Sequence, residues 1–108
     1  MEETLRDFLN IVADPYATVT QWKERRQRKV VGCFPMHLPE ELVHAAGLDP
    51  VIFWRSNEAV TLGHAHVYSF NCGITRSVVD DVVKGKLSFM DGMIFYDICL
   101  QGRELPFV

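Results

Sequence analysis

The chain has 108 residues, of which 48% are hydrophobic and 23% are charged, and its formal net charge is −3. This length suits one domain, and the composition is that of an ordinary globular protein. The negative balance argues against a nucleic-acid-binding protein, and no apolar run approaches the ~20 residues that would span a bilayer. The start is acidic and lacks the apolar segment of a signal peptide, so we expect a cytoplasmic protein. Its three cysteines then indicate a metal, a cluster or free thiols rather than a disulfide framework.

Two helices are predicted at the start of the chain. In the first, over residues 3–13, apolar side chains recur every three or four positions: Leu5, Phe8, Leu9 and Val12. Asp14 and Pro15 end it, and Pro15 suits the first turn of a second helix that reaches about Arg28. The basic end of that helix indicates either a nucleic-acid contact or a solvated end whose cations complement the helix dipole, and the net charge favours the second. Residues 1–28 are therefore predicted to form a separate N-terminal helical segment.

Strands and helices alternate from residue 29 onward. Short apolar runs that are typical of buried strands occupy residues 30–34, 51–54 and 93–96. Helical patterns follow Pro39 and Cys72, whereas residues 56–70 are ambiguous between helix and loop. Strands that alternate with helices through short connections form a parallel sheet with right-handed crossovers. The sequence therefore predicts an α/β domain over residues 29–108.

The chain ends on an apolar stretch at residues 105–108. Natural domains usually end on a soluble or docked segment. We therefore expect the α/β domain to be truncated.

Cys72 and Cys99 are the candidate metal ligands. Cys72 is predicted at the start of a helix, where the dipole favours a thiolate, and Cys99 at the carboxyl end of the last strand. Ligands of parallel sheets bind at the carboxyl ends of the strands. No C-x-x-C motif is present, so the spacing alone leaves open both metal or cluster ligation and ordinary packing. Cys33 lies within an apolar strand and is predicted to be a packing residue.

Two charged residues are further candidates. Arg76 lies one turn after Cys72, where it could hold a substrate phosphate or carboxylate, or form an ion pair with Asp80 at i+4. Glu41 stands in the first turn of a helix, where it is either a favourable charge or a functional group. Asp80 and Lys84 are also spaced for an ion pair.

Three stretches together carry a resemblance to a known family. Residues 31–51 contain a glycine, then Pro-x-Glu-Leu, Ala-x-Gly and a proline before the next strand; residues 72–77 and 97–103 each contain a cysteine loop. In this order they resemble the benzoyl-CoA reductase / 2-hydroxyglutaryl-CoA dehydratase family. The resemblance covers residues 29 to 103 and is closest to a cluster-bearing subunit of the ATP-dependent benzoyl-CoA reductases.

The resemblance implies a flavodoxin-like, three-layer α/β fold and a [4Fe–4S] cluster held by three cysteines of each subunit. It also implies a second α/β domain, which is missing from this chain. Cys72 and Cys99 match the first two ligands, the third belongs to that second domain, and Cys33 matches none. Glu41 matches a glutamate near the cluster and the substrate thioester, which implies a catalytic role. The implied partners are a sister cluster-bearing subunit, ATP-hydrolysing activator subunits, a ferredoxin-type electron donor and an acyl-CoA substrate. ATP would be used by the activator and not by this chain.

Three functions follow as hypotheses. In the first, the chain is the N-terminal part of an iron–sulfur subunit of benzoyl-CoA reductase, which reduces an aromatic acyl-CoA thioester by ATP-driven electron transfer and is inactive as this part alone. In the second, it belongs to a 2-hydroxyacyl-CoA dehydratase, a lyase. In the third, it is a non-catalytic α/β interaction module with inert thiols.

Overall fold

The computed structural model describes residues 1–35, 38–54, 56, 58–97 and 99–108. Met36, His37 and Ile98, which belong to the family-like stretches, lie outside the described residues. The helices are α1 (Glu2–Ala13), α2 (Pro15–Arg26), α3 (Glu40–Ala45), α4 (Gly73–Val83) and α5 (Leu100–Glu104). The strands are β1 (Val30–Cys33), β2 (Asp49–Ile52) and β3 (Gly92–Ile94), and short 3-10 turns occupy Gly63–Ala65 and Leu105–Phe107.

The three strands form one parallel sheet in the order β2-β1-β3. Val30 of β1 pairs with Asp49 of β2, and Cys33 of β1 pairs with Ile52 on one side and Ile94 on the other. Helices connect successive strands, since α3 precedes β2 and α4 precedes β3. The predicted α/β fold, with a flavodoxin-like parallel sheet preceded by N-terminal helices, is thereby confirmed.

All three strands differ from their predicted bounds, and β1 ends at Cys33, one residue early. β2 begins at Asp49 and includes Pro50, which an edge strand tolerates because its outer side needs no ladder hydrogen bond. β3 ends at Ile94, so Cys99 does not lie at the carboxyl end of a strand as predicted. It is instead the N-cap residue of α5.

Local sequence explains where the N-terminal helices begin and end. The Asp14 side chain caps α2 by accepting a hydrogen bond from the Ala17 N–H at 3.1 Å, and Pro15 occupies its first turn. α2 ends at Gln27, which adopts the left-handed conformation with φ 50°. None of the side chains of α1 or α2 is fully buried. Among the described residues, no helix is both long and apolar enough to cross a membrane.

The core lies between the sheet, α4 and the segments around them. Its buried members are Phe34, Phe53, Val67, Val78, Val79, Leu87 and Leu105. Gly32 of β1 makes room for this packing, because a Cβ there would overlap the ring of Phe53. At the amino end of the sheet, where β1 begins, Asp91 accepts hydrogen bonds from the Val30 N–H and from Lys23, both at 2.8 Å. Through Asp91, these contacts connect α2 to the start of β1, at the end of the sheet away from its carboxyl edge.

Candidate functional site

Cys72 is the N-cap residue of α4 and its side chain is exposed. Its Sγ lies 3.2 Å from the Thr75 Oγ1, within the first turn of the helix. Partial burial disfavours the thiolate, but the Thr75 hydroxyl and the backbone N–H groups of Thr75 and Ile74 outweigh it and hold the pKa of Cys72 below its ordinary value. The helix start predicted from the sequence is therefore present, and it favours the form of cysteine that binds metals.

Cys99 occupies the equivalent position at the start of α5. Its Sγ is exposed and accepts a hydrogen bond from the Gly102 N–H at 3.3 Å. An ion pair between Asp97 Oδ1 and Arg103 Nε, at 2.6 Å, joins the two sides of the loop that presents this thiol. Both candidate ligands are thus free thiols at the first turn of a helix.

The two cysteine segments meet through Gln101. Its Oε1 accepts a hydrogen bond from the backbone N–H of Cys72 at 2.8 Å, across 29 residues of sequence. Gln101 lies in the first turn of α5, which Cys99 caps. The structure therefore brings together the two cysteines that the sequence singled out.

Tyr96 lies close enough to both cysteines for their charges to act on its hydroxyl. Burial raises the pKa of Tyr96, and the negative charges of the Cys99 and Cys72 thiolates raise it further. Its ring packs 5.6 Å from that of Phe34, which belongs to the core. The site thus has an apolar wall on the side of the sheet and a phenol within electrostatic range of both sulfurs.

Two buried polar atoms next to Cys72 have no hydrogen-bond partner in the described part of the chain. They are Asn71 Oδ1, from the preceding residue, and Arg76 Nε, from the next turn of α4. The alternative partner predicted for Arg76 is engaged elsewhere: Asp80 pairs with Lys84 at 2.5 Å and accepts from the Gly63 N–H at 2.8 Å. Arg76 therefore does not form the ion pair with Asp80 that was its alternative role, whereas the predicted ion pair between Asp80 and Lys84 is confirmed.

The remaining candidates lie outside this cluster. Cys33 is fully buried in β1, as expected for a packing residue, and burial followed by the charge of Glu40 raises the pKa of its thiol. Glu41 stands in the first turn of α3 and is exposed. Within the described residues, Glu41 makes no hydrogen bond or ion pair with Cys72 or Cys99. The acidic side chain whose charge raises the pKa of Cys33 is thus Glu40.

Sequence reasoning missed several residues of this site. Thr75 could have been found, because a hydroxyl three residues after an N-cap regularly faces it. Gln101, Tyr96 and Gly102 carried no local pattern, since their contacts depend on how distant segments meet. These contacts were visible only once the fold was known.

The donor atoms of these residues show whether the site suits the iron–sulfur cluster that the family resemblance implies. Two exposed thiols, one of them with a lowered pKa, fit the thiolate ligands that iron–sulfur clusters require. The described residues contain no group of three cysteine, histidine or acidic side chains that could hold a metal ion by itself. The described residues therefore suit two cysteine ligands of a cluster but not a complete set of ligands.

Comparison with known families decides the membership of the chain. The model of a family described as 2-hydroxyglutaryl-CoA dehydratase, D-component, matches residues 35–106. The match includes both cysteine segments and the three elements α3, α4 and α5. The chain belongs to this family.

Curated relatives agree with membership of the 2-hydroxyglutaryl-CoA dehydratase D-component family. The chain is 31% identical to the (R)-phenyllactyl-CoA dehydratase beta subunit of Clostridium sporogenes, over 91% of this chain and 26% of the relative. It is 32% identical to one of the subunits of benzoyl-CoA reductase from Thauera aromatica, over 83% and 24%. It is 30% identical to the (R)-2-hydroxyglutaryl-CoA dehydratase beta subunit of Acidaminococcus fermentans, over 88% and 25%. The chain thus spans about a quarter of the length of these relatives, each of which is a subunit of an enzyme.

Proposed function

We propose that the chain is the N-terminal part of an iron–sulfur subunit that acts on an acyl-CoA thioester, with Cys72 and Cys99 as two cluster ligands. The observation that carries the proposal is the pairing of these two thiols at adjoining helix starts, linked by the hydrogen bond from Cys72 to Gln101. We propose a helical segment at 1–28, an α/β domain at 29–108, and a third ligand from sequence outside these residues.

Each residue of the site has a proposed part. When bound, a [4Fe–4S] cluster would supply single low-potential electrons to the substrate. Tyr96 and the core behind it would keep water from that side of the thiolates, and the Arg76 guanidinium would hold an anionic group of the substrate. Glu41 is proposed to exchange protons with the substrate from the start of α3.

We propose the benzoyl-CoA reductase branch of the family as the function of the complete enzyme. The relationship to the benzoyl-CoA reductase of Thauera aromatica supports it, as does the resemblance of the two cysteine loops to those of the reductases. In this proposal the subunit works in the cytoplasm beside a sister cluster-bearing subunit. ATP-hydrolysing activator subunits and a ferredoxin-type donor would deliver the electrons.

The second candidate is a 2-hydroxyacyl-CoA dehydratase. Two observations favour it: the matching family is described by a dehydratase component, and two of the relatives reported above are dehydratase beta subunits. The proposed cysteine ligands are common to both candidates, so only the substrate separates them.

Replacement of single cysteines tests the ligand assignment. In the complete subunit, reconstituted anaerobically with iron and sulfide, Cys72→Ser or Cys99→Ser should lower the bound iron, because each removes a thiolate. Cys33→Ser is the matched control and should leave the iron content nearly unchanged in protein that retains its circular dichroism. Equal iron loss in all three variants would contradict the assignment. An absence of cluster absorption in the wild-type subunit would favour the non-catalytic interaction module.

A substrate assay separates the two enzymes. The complete complex with its activator, ATP and a strong reductant should convert benzoyl-CoA to a cyclic diene and should leave 2-hydroxyacyl-CoA unchanged. Dehydration of 2-hydroxyacyl-CoA without reduction of benzoyl-CoA would establish the lyase instead. Glu41→Gln should lower turnover in either case without changing iron content, because a carboxylate at this position acts on protons.

A further inference from the structure

Gln101 is the connection between the two cysteine segments. Its Oε1 accepts the Cys72 N–H at 2.8 Å, although the two residues are 29 positions apart. The N-cap amide is among the groups that a helix cannot satisfy with its own carbonyls. Within the described residues, no other hydrogen bond and no ion pair joins residues 68–76 to residues 95–108. Among polar contacts of the described residues, the Gln101 side chain alone therefore joins the start of α4 to the start of α5.

The backbone that carries Gln101 is itself held in place. The next residue, Gly102, is buried and donates its N–H to Cys99 Sγ at 3.3 Å. A Cβ at Gly102 would lie 3.2 Å from the Tyr96 carbonyl oxygen, so this turn packs tightly against the chain that leaves β3. Because the turn is packed at Tyr96 and bonded at Cys99, the Gln101 side chain projects from a defined position. The hydrogen bond from the Cys72 N–H to the Gln101 Oε1 then links the two cysteine segments from this defined position.

We propose that Gln101 is a positioning residue. It keeps Cys72 and Cys99 close enough to bind one metal centre before any metal is present. The inference rests on the proposed function, since it names how the same ligand site is assembled. The physical reason is preorganisation: ligands that are already close lose less conformational freedom when they bind. Residues that orient metal ligands without touching the metal typically change metal affinity about 10–100-fold when they are replaced.

Hydrogen exchange in the wild-type, metal-free full chain tests the contact without any substitution. The Cys72 amide should exchange more slowly than the Gly73 amide, which donates to no acceptor among the described residues. Equal exchange at the two neighbouring amides would overturn the proposal, because it would mean that Gln101 does not hold the N-cap amide in solution.

Side-chain replacement tests the consequence for the thiols. Gln101→Met keeps the length of the side chain but removes the acceptor, whereas Gln101→Glu keeps an acceptor oxygen. A short bifunctional thiol reagent should link Cys72 to Cys99 about fivefold more slowly in Gln101→Met, the factor that corresponds to a net hydrogen-bond contribution of about 1 kcal/mol. Gln101→Glu should cross-link at close to the wild-type rate.

A glutamine far from the site is the matched control. Gln21 is exposed on α2, and Gln21→Met should cross-link as fast as the wild type. Cross-linking of Gln101→Met at the wild-type rate, in protein with an unchanged melting temperature, would overturn the proposal. If Gln101→Met melts early, the amide exchange of the wild type and the cross-linking rate of Gln101→Glu still decide it.

The same samples separate this proposal from the proposed function. After reconstitution of the complete subunit, Gln101→Met should bind iron about tenfold more weakly than the wild type. A wild-type subunit with rapid cross-linking, a protected Cys72 amide and no cluster would contradict the proposed function and leave the positioning role intact. A wild-type cluster with full iron binding in Gln101→Met would contradict the positioning role alone.

Discussion

At the residue scale, Gly102 shows how closely the ligand site is packed. A Cβ at this position would lie 3.2 Å from the carbonyl oxygen of Tyr96 and 3.6 Å from the Sγ of Cys99. The contact with the Tyr96 oxygen is tighter than a Cβ normally makes, so any side chain at this position would have to shift the turn. The Gly102 N–H uses that approach to donate to the sulfur. The glycine is thus required by space and not by an unusual backbone angle.

We predict that Gly102→Ala impairs cluster binding more than folding. The new methyl group must push the turn away from Tyr96 by a few tenths of an ångström, which weakens the N–H bond to Cys99. Alanine also gains about 1 kcal/mol of helix propensity over glycine, so the melting temperature should change little. The iron content of the reconstituted subunit should fall. Gly92→Ala is the control, because a Cβ at Gly92 would meet nothing within 4 Å. Full iron content in Gly102→Ala would refute the prediction.

At the scale of elements, α4 anchors a segment that has little regular structure of its own. Asp80 is buried on α4 and accepts hydrogen bonds from the Thr61 N–H at 3.0 Å and the Gly63 N–H at 2.8 Å. The ion pair with Lys84, followed by these backbone groups, holds the pKa of Asp80 far below its ordinary value despite the burial. One carboxylate therefore fixes the chain that leads into the Cys72 helix.

This anchor predicts a dependence of stability on pH. Because the pKa of Asp80 is lowered in the folded state, its contribution is fully present above the unfolded carboxyl pKa of about 3.9 and is lost as pH falls through the folded value. Asp80→Asn should therefore lower the free energy of unfolding at pH 7, and its difference from the wild type should shrink below about pH 4. Urea unfolding at several pH values measures this. Glu24→Gln on the exposed face of α2 should show no such change. A constant difference between pH 7 and pH 3 would contradict the role of the charge.

Helices and strands could be predicted where the local sequence determines their position. The helical pattern after Cys72 was correctly placed, yet of the valines on α4 only Val78 and Val79 are buried, whereas Val82 is 46% exposed. Helical spacing shows which side chains share a face but not how far the packing partner extends along it. Cys72 was predicted at a helix start because local residues define that start. The N-cap position of Cys99 was missed, because α5 depends on contacts with Tyr96 and Cys72 that form only in the folded chain.

At the scale of the whole molecule, α1 stands apart from the core. Four apolar side chains on it are more than half exposed: Leu5, Phe8, Leu9 and Val12. The helix contributes no buried residue, so its apolar face adds little to the stability of the α/β domain. A 12-residue helix is marginal in water unless it packs against something.

We predict that this face makes the chain self-associate. Phe8→Glu should lower the average mass in sedimentation experiments at high concentration, because exposed apolar patches of this kind drive association. The melting temperature of the α/β domain should stay the same, since Phe8 is 61% exposed. Thr18→Glu on α2 serves as the control for added charge. An average mass that is the same for Phe8→Glu and the wild type would locate the association elsewhere.

The strand order also determines when each strand can pair during synthesis of the chain. β1 lies between β2 and β3 in the sheet but is the first of these three strands to leave the ribosome. β2 covers one of its edges soon afterwards, whereas the other edge must wait for β3 and for Asp91, which bonds the Val30 N–H. Until then the nascent chain presents a row of open backbone groups, the kind of edge that pairs with other chains. Translation that pauses before residue 92 would therefore leave β1, the most buried of these three strands, open to pairing with other chains.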